Sequence, residues 1–229
     1  MRTWKNDAEL FTTIKKKLFV ALVGDILDQM GYKNQFLSPN LKPISSDMVI
    51  IGRSMTVLEA DSFSDSTNSK NEVLNNSFGL MFEALDNLKK NEIYICTGGF
   101  HDYALWGGLM STRALKCGSN GAVLHGYHRD TNEIKKLNFP VISFGSYAKD
   151  QKGRGKVIDY RVPIMLDGVK IEDGDIVYGD LDGTLIIPKK AEEEVFIKAL
   201  EKAKDEKLVL KALENGMTSV EAYKKFGVL

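Results

Sequence analysis

The chain has 229 residues, 43% hydrophobic and 27% charged, a length and balance that allow a real core in one α/β unit and exclude a disordered or collagen-like protein. Lys+Arg and Asp+Glu stand at 31 each, so no overall basic field exists to hold nucleic acid or an anionic membrane surface. The opening "MRTWKNDAEL" carries no apolar signal-peptide core and no stretch reaches the roughly 18 apolar residues of a membrane span, so a cytoplasmic protein without nucleic-acid or membrane partners is expected.

From Asp7 to about Met30 the apolar period is helical (Leu10, Ile14, Leu18, then Val23, Ile26, Leu27), with a break expected near Gly24 and a stop at Gly31. A Pro-containing loop leads to "MVIIGRSMTVLEA", read as a strand bent around Gly52. The polar stretch "DSFSDSTNSKNE" is expected to be a mobile loop, because regular patterns resume on both sides. "FGLMFEALDNLKKN" reads as a helix, "EIYICTGG" as a buried strand, "ALWGGLMSTRALKCGSN" as an amphipathic helix and "GAVLH" as a second buried strand. This alternation favours parallel pairing. Beyond Phe139 the texture turns to short strands punctuated by Gly and Asp-Gly turns, and the chain closes with a long helix over 189–214 and a short one over 218–226, with Thr218 and Glu221 at capping-box spacing. Cys96 and Cys117 lie in apolar runs with no CxxC spacing and are read as free core thiols.

Two stretches carry possible chemistry. Gly107 and Gly108 open a helix, whose free first-turn N–H groups and positive dipole end suit a carboxylate or phosphate; glycines there serve equally for close packing of a helix on a sheet. In "HGYHRDTNE" (125–133), Arg129 and Asp130 fall just past a parallel strand, the edge where open α/β sheets place ligands, with Asp130 or Thr131 as the cap of the next helix. An Arg-Asp pair there offers a forked cation and an oxygen ligand for a hard metal, or simply a cap and a surface ion pair. His125 and His128 share H-x-x-H spacing, but one ends a strand and the other lies in the loop, which disfavours zinc. The acids Asp173, Asp175, Asp180 and Asp182 lack calcium-loop spacing and read mainly as turn formers, with Asp180 and Asp182 retained as weak candidates for supporting polar roles. There is no G-x-S-x-G elbow, and no lysine stands alone in an apolar strand as an imine-forming lysine would.

Taken in order, "GDILDQMG", "IGRSMTV", "WGGLMSTRALKCGSNGAVLHGYHRD", "LNFPVISFG", the run 156–188 and the closing "GMTSVEAYKKFGVL" resemble the RraA-like family, which includes 4-hydroxy-4-methyl-2-oxoglutarate aldolases and the regulator of ribonuclease activity A. The most specific part is Gly108, twenty intervening residues, Arg129-Asp130 and then Glu133. The resemblance implies an α/β fold of the swivelling β/β/α type (an α-β-β-α sandwich), as one domain over 1–229 with a C-terminal helical extension, assembled as a homotrimer or hexamer. It implies a magnesium or manganese ion anchored by Asp130. The backbone of Gly107, Gly108, Leu109 and Met110 would hold the carboxylate of a small 2-oxo acid, and Arg129 its ketone or enolate oxygen. The implied activity is that of a metal-dependent aldolase, a carbon–carbon lyase that releases pyruvate, with oxaloacetate decarboxylation as a second outlet. Some family aldolases carry an acid where this chain has Gly108, which leaves the base unassigned; Glu133 either orients a water there or is an ordinary first-turn helix acid. The alternative is a non-catalytic regulator that binds a ribonuclease, or a metabolite-binding scaffold.

Overall fold

In the computed structural model, residues 4–62, 68–99 and 102–227 are described. The expected mobile loop at 61–72 lies in part, over 63–67, outside them. The elements in chain order are α1 (Asp7–Lys17), α2 (Val20–Gln29), β1 (Lys42–Pro43), β2 (Ile50–Asp61), a 3-10 turn (Glu72–Asn75), α3 (Met81–Asp86), β3 (Glu92–Cys96), β4 (Ala104–Trp106), α4 (Gly108–Cys117), β5 (Gly121–Leu124), β6 (Tyr127–His128), α5 (Thr131–Lys136), β7 (Val141–Ser143), β8 (Gly155–Tyr160), β9 (Ile164–Leu166), β10 (Val169–Ile171), β11 (Ile176–Gly179), β12 (Thr184–Ile187), α6 (Glu192–Glu214) and α7 (Ser219–Phe226). They group into two compact units: residues 34–189, and a helical unit in which 1–33 joins 190–229. The helical extension expected at the C-terminus thus includes the N-terminal helices as well.

In the 34–189 unit an eight-stranded sheet runs β1-β7-β5-β3-β2-β11-β12, with β8 also paired to β2. Its centre, β2-β3-β5-β7, is parallel, as the strand–helix–strand alternation predicts, and β1, β8, β11 and β12 add antiparallel neighbours. The near-continuous apolar runs of β3 and β5 follow from burial on both faces. Ile93, Ile95 and Val123 face a layer built with the β9–β10 hairpin (Ile164, Leu166, Val169, Ile171). Tyr94, Cys96, Ala122 and Leu124 face the helices through Leu85, Ala114 and Ile134. Hairpin, sheet and helices make the expected mixed α/β layering. Gly52 marks a close approach, since a Cβ there would stand 2.5 Å from the Asn91 carbonyl oxygen. The irregularity of β2 falls instead between Leu58 and Glu59.

In the helical unit the break lies at Leu18-Phe19, both extended, and not near Gly24, which is buried within α2. A two-residue extended link leaves the apolar spacing almost unchanged, so the period alone does not locate it. Asn6 caps α1 by accepting from Glu9 N, and Gly31 at φ +88° ends α2. Helix α2 packs on α6, and Trp4 meets Phe196 edge-on at 6.4 Å. Asn215 caps α6, with Gly216 at φ +89° beyond it, and the Thr218–Glu221 capping box starts α7. No helix among the described residues is long and apolar enough to cross a membrane. The cysteines are both free thiols, Cys96 buried as expected but Cys117 only half-buried.

A polar clamp fastens one end of the sheet. Arg161, at φ +58° just after β8, donates to both Glu92 oxygens, to Asp173 and to Asn87 Oδ1, joining β8 to the start of β3 and to the loop before β11. The pair is largely enclosed (side chains 21% and 12% exposed for Arg161 and Glu92), so removing the guanidinium strands carboxylates away from water. Arg161→Ala is expected to lower unfolding free energy by about 2–4 kcal/mol, read from urea midpoints; a change within about 0.5 kcal/mol would show that the clamp carries no net stability.

Candidate functional site

The short strands β4 and β6 pair in parallel, with Ala104 opposite Tyr127 and Trp106 opposite His128, and Arg129 N donates to Trp106 O at 2.9 Å. Two residues beyond each paired position the chain reaches Gly108 on one side and Asp130 on the other. The start of α4 and the Arg129-Asp130 pair are therefore placed side by side. Asp130 Oδ2 accepts a hydrogen bond from Gly108 N at 2.9 Å. Asp130 is the backbone cap of α5, as the sequence suggests, but its side chain makes no bond to that helix and serves α4 instead. Its backbone is left-handed (φ 60°, ψ 39°), a conformation aspartate tolerates better than most residues and one that clusters at functional sites.

Gly107 leaves room for the Asp130 carboxylate, and Gly108 sits close against Glu133. Gly107 is extended at φ −152°, open to any residue, yet a Cβ on it would lie 2.6 Å from Asp130 Oδ2. A Cβ on Gly108 would lie 3.2 Å from Glu133 Cβ. The expected helix from Ala104 begins only at Gly108, because Ala104–Trp106 is strand: Trp106 is 1% exposed, stacked on Phe139 at 5.9 Å, and its Nε1 donates to Ser111 Oγ at 2.7 Å.

His128 fixes the other side. It is buried, with Nδ1 2.7 Å from Ser143 Oγ and Nε2 3.0 Å from Thr131 Oγ1. Burial, and secondarily the Lys135 charge, holds it below the ordinary histidine pKa, so it is a neutral structural tie. His125 Nε2 instead meets Asp167 Oδ1 at 2.9 Å. The two histidines thus have separate partners, and no three His, Cys, Asp or Glu side chains converge among the described residues. Asp180 Oδ1 accepts from Asp182 N, and Asp175 accepts from Glu172 N and Lys189 N, so these acids shape turns.

A cleft of about 240 Å³ opens at this junction, lined by Gly107, Arg129, Asp130, Asp150 and Gln151 together with apolar side chains that include Phe82, Leu109 and Met110. Arg129 and Asp130 also border a neighbouring hollow of about 400 Å³ with Thr131 and Tyr147. Arg129 Nη1 lies 3.1 Å from Asp150 Oδ1, both side chains part-exposed. Glu133 stands in the first turn of α5, mostly exposed, 3.8 Å from Lys136 Nζ. The structure thus gathers Gly107, Gly108, Leu109, Met110, Arg129, Asp130 and Glu133 around the start of α4. Sequence reasoning missed Asp150 and Gln151, which sit in the polar loop "SYAKDQKGRG", where no motif or period distinguishes them.

The parallel pair β4–β6 sets Arg129-Asp130 against a helix N-terminus in an α/β protein, at the ends of strands, where open α/β sheets place their ligands. By sequence the chain belongs to the RraA-like family, whose model, described as Aldolase/RraA, matches residues 20–186. It is 30% identical over 203 residues to Protein DlpA of Legionella pneumophila, covering 88% of this chain but only 31% of that protein's length. It is 30% identical over 213 residues to a Halalkalibacterium halodurans protein named "Putative 4-hydroxy-4-methyl-2-oxoglutarate aldolase", covering 93% of each chain. The fold is that of RraA proteins: a solved structure of Streptomyces coelicolor RraAS2, titled an unusual member of the RNase ES inhibitor RraA family, superposes with a TM-score of 0.74 at 19% identity, over 90% of this chain and 98% of that one.

Two outcomes follow from this geometry. Gly107→Ala is expected to displace the Asp130 carboxylate from Gly108 N–H and cost about 1–3 kcal/mol, seen as a lowered Tm; an unchanged Tm would show that the contact is dispensable. His128 is held below its unfolded value near 6.5, so acid adds a proton to the unfolded chain first. Its contribution is fully present above about pH 6.5 and declines as pH falls below that value toward the folded pKa. His128→Gln is expected to flatten the decline in urea midpoint between about pH 7 and 5.5 relative to the parent.

Proposed function

We propose that the protein is a divalent-metal-dependent lyase of the class II aldolase type, which cleaves a 4-hydroxy-2-oxo acid such as 4-hydroxy-4-methyl-2-oxoglutarate to pyruvate and also decarboxylates oxaloacetate. The observation that carries the reading is the Arg129-Asp130 pair held against the start of α4 by the Asp130–Gly108 hydrogen bond. The aldolase name of the H. halodurans relative supports it.

The donor set suits magnesium or manganese. Asp130 contributes one carboxylate on a fixed backbone beside a cleft with room for water, and magnesium commonly takes one or two carboxylates and keeps several waters. Asp130 would hold the ion, which when bound would polarise the 2-oxo carbonyl. The N–H groups of the first turn of α4 have no acceptor within the helix and face the cleft end, so those of Leu109 and Met110 are suited to a substrate carboxylate beside Gly108. Arg129, oriented by Asp150, would bind the oxygen on which enolate charge develops, where a fixed cation in a partly enclosed site is most effective. Glu133, whose Cβ stands 3.2 Å from where a Cβ on Gly108 would lie, would orient a water that takes the C4 hydroxyl proton. The assembly proposed with this reading is a homotrimer or hexamer, to be measured by sedimentation equilibrium.

A second reading, a non-catalytic ribonuclease regulator or metabolite-binding scaffold, draws on Gly108, where no carboxylate stands to accept a proton. Pyruvate release separates the two. With oxaloacetate or 4-hydroxy-4-methyl-2-oxoglutarate, pyruvate is expected only with added magnesium or manganese and to be lost with a chelator. Arg129→Ala and Asp130→Ala are each expected to lower kcat/KM by about 10²–10³-fold. No pyruvate from either substrate would overturn the lyase assignment in favour of the binding protein, and parent-like rates in both variants would remove Arg129 and Asp130 from the reaction.

A further inference from the structure

Aldol cleavage has to move a proton that oxaloacetate decarboxylation does not. In a 4-hydroxy-2-oxo acid the C4 hydroxyl loses its proton as the C3–C4 bond breaks, and a water that takes it needs a base to pass it to. At Gly108 no carboxylate stands to serve. The hydroxyl and the 2-oxo oxygen are 1,3-related, so in a folded conformer they lie within one hydrogen-bond length, about 3 Å, of each other. Holding the 2-oxo oxygen on Arg129 therefore brings the hydroxyl close to Arg129, and the base is to be sought among that residue's own neighbours.

The carboxylates of Asp130, Glu133 and Asp150 are not equivalent in this respect. Asp130 is engaged by Gly108 N at 2.9 Å and, in the lyase reading, by the divalent ion. Glu133 has 60% of its side chain in solvent, lies 3.8 Å from Lys136 Nζ and belongs to the lining of neither hollow. Asp150 lines the cleft beside Arg129, with Oδ1 3.1 Å from Arg129 Nη1. Its backbone is fastened on both sides: Ala104 N of β4 donates to Lys149 O at 2.9 Å, Arg154 Nη1 to Asp150 O at 2.9 Å, and Gly155 N of β8 to Gln151 O at 3.0 Å. The side chain keeps 44% of its surface open, so its carboxylate exchanges protons with water. A guanidinium has five N–H donors and serves the 2-oxo oxygen and Asp150 together. Both members of the pair come from one chain, so their relation is unchanged by groups that a neighbouring subunit adds to the cleft.

We infer that Asp150 is the base of aldol cleavage, receiving through the water that Glu133 orients the proton that leaves the C4 hydroxyl. The assignment rests on the lyase reading above. The C3–C4 bond breaks and its electron pair stays on C3 as the enolate of pyruvate. The O–H pair at C4 becomes the second bond of the new carbonyl, and the proton passes through the water to the Asp150 carboxylate, which returns it to solvent. C3 takes a proton from solvent, and no oxidant or reductant is required. In oxaloacetate the same enolate forms as carbon dioxide leaves, with no hydroxyl proton to accept.

The test is the ratio of two rates in magnesium, cleavage of 4-hydroxy-4-methyl-2-oxoglutarate against decarboxylation of oxaloacetate. Asp150→Asn keeps an oxygen for Arg129 but removes the base, and is expected to lower that ratio about 10²-fold, through kcat and not KM. Asp150→Glu is expected to recover part of the loss, which a fault in folding would not allow. An equal loss on both substrates overturns the inference, because Asp150 then acts only by holding Arg129. Parent-like cleavage by Asp150→Asn overturns it in favour of another base, one from a neighbouring subunit included. Decarboxylation without aldol cleavage in the parent overturns it and leaves the enolate chemistry intact, whereas no pyruvate from either substrate overturns the lyase reading and the inference together.

Discussion

A single carboxylate organises the junction between two short strands and two helices. Asp130 satisfies the first free N–H of α4 from outside that helix while its own backbone starts α5, so both helix origins are tied to one residue. The arrangement works only because no Cβ occupies the space at Gly107, because the peptide at Asp130 accepts a left-handed turn, and because β4 and β6 are held in register by Trp106 and His128. Packing supplies the rigidity: Trp106 is wedged between Tyr94 and Phe139, and His128 is bonded through both ring nitrogens. The charge placed at the positive end of α4 is thus fixed before any ligand arrives, which is the meaning of preorganisation in such a site.

The electrostatics of the cleft are correspondingly local. Arg129 is shared between its ion pair with Asp150 and the space above α4, and the surrounding loop gives it no second cation among the described lining residues. Among the described lining residues the polar groups are few, and the larger part of the cleft surface is carbon.

Much of the architecture could be read from patterns that have a direct physical cause. Runs such as "IYIC" and "AVL" are apolar without alternation because both faces of β3 and β5 are covered, and helix ends at Gly31, Asn215-Gly216 and Thr218 follow from backbone capping. The site was legible where spacing linked Gly108 to Arg129, Asp130 and Glu133. What escaped depends on long-range contact. Ala104–Trp106 is apolar enough to extend a helix and becomes strand only because Tyr127–His128 lies alongside. Asp150 and Gln151 reach the cleft through the course of a loop, which no local period encodes. The pause at Leu18-Phe19 is likewise invisible to a 3.6-residue repeat that resumes almost in phase.

The division of the chain into an α/β unit over 34–189 and a helical unit made from both flanks has a bearing on biosynthesis. Helix α2, with Val20, Leu22, Val23, Ile26 and Leu27 buried, finds its partner in α6, which emerges from the ribosome only after the whole intervening unit has been made. During that interval α2 presents its apolar stripe without the surface that covers it, while the sheet of the 34–189 unit already has all its strands. Helices α1 and α2 are therefore secured later than the strands that follow them, and the stripe of α2 is the apolar surface left longest without its cover.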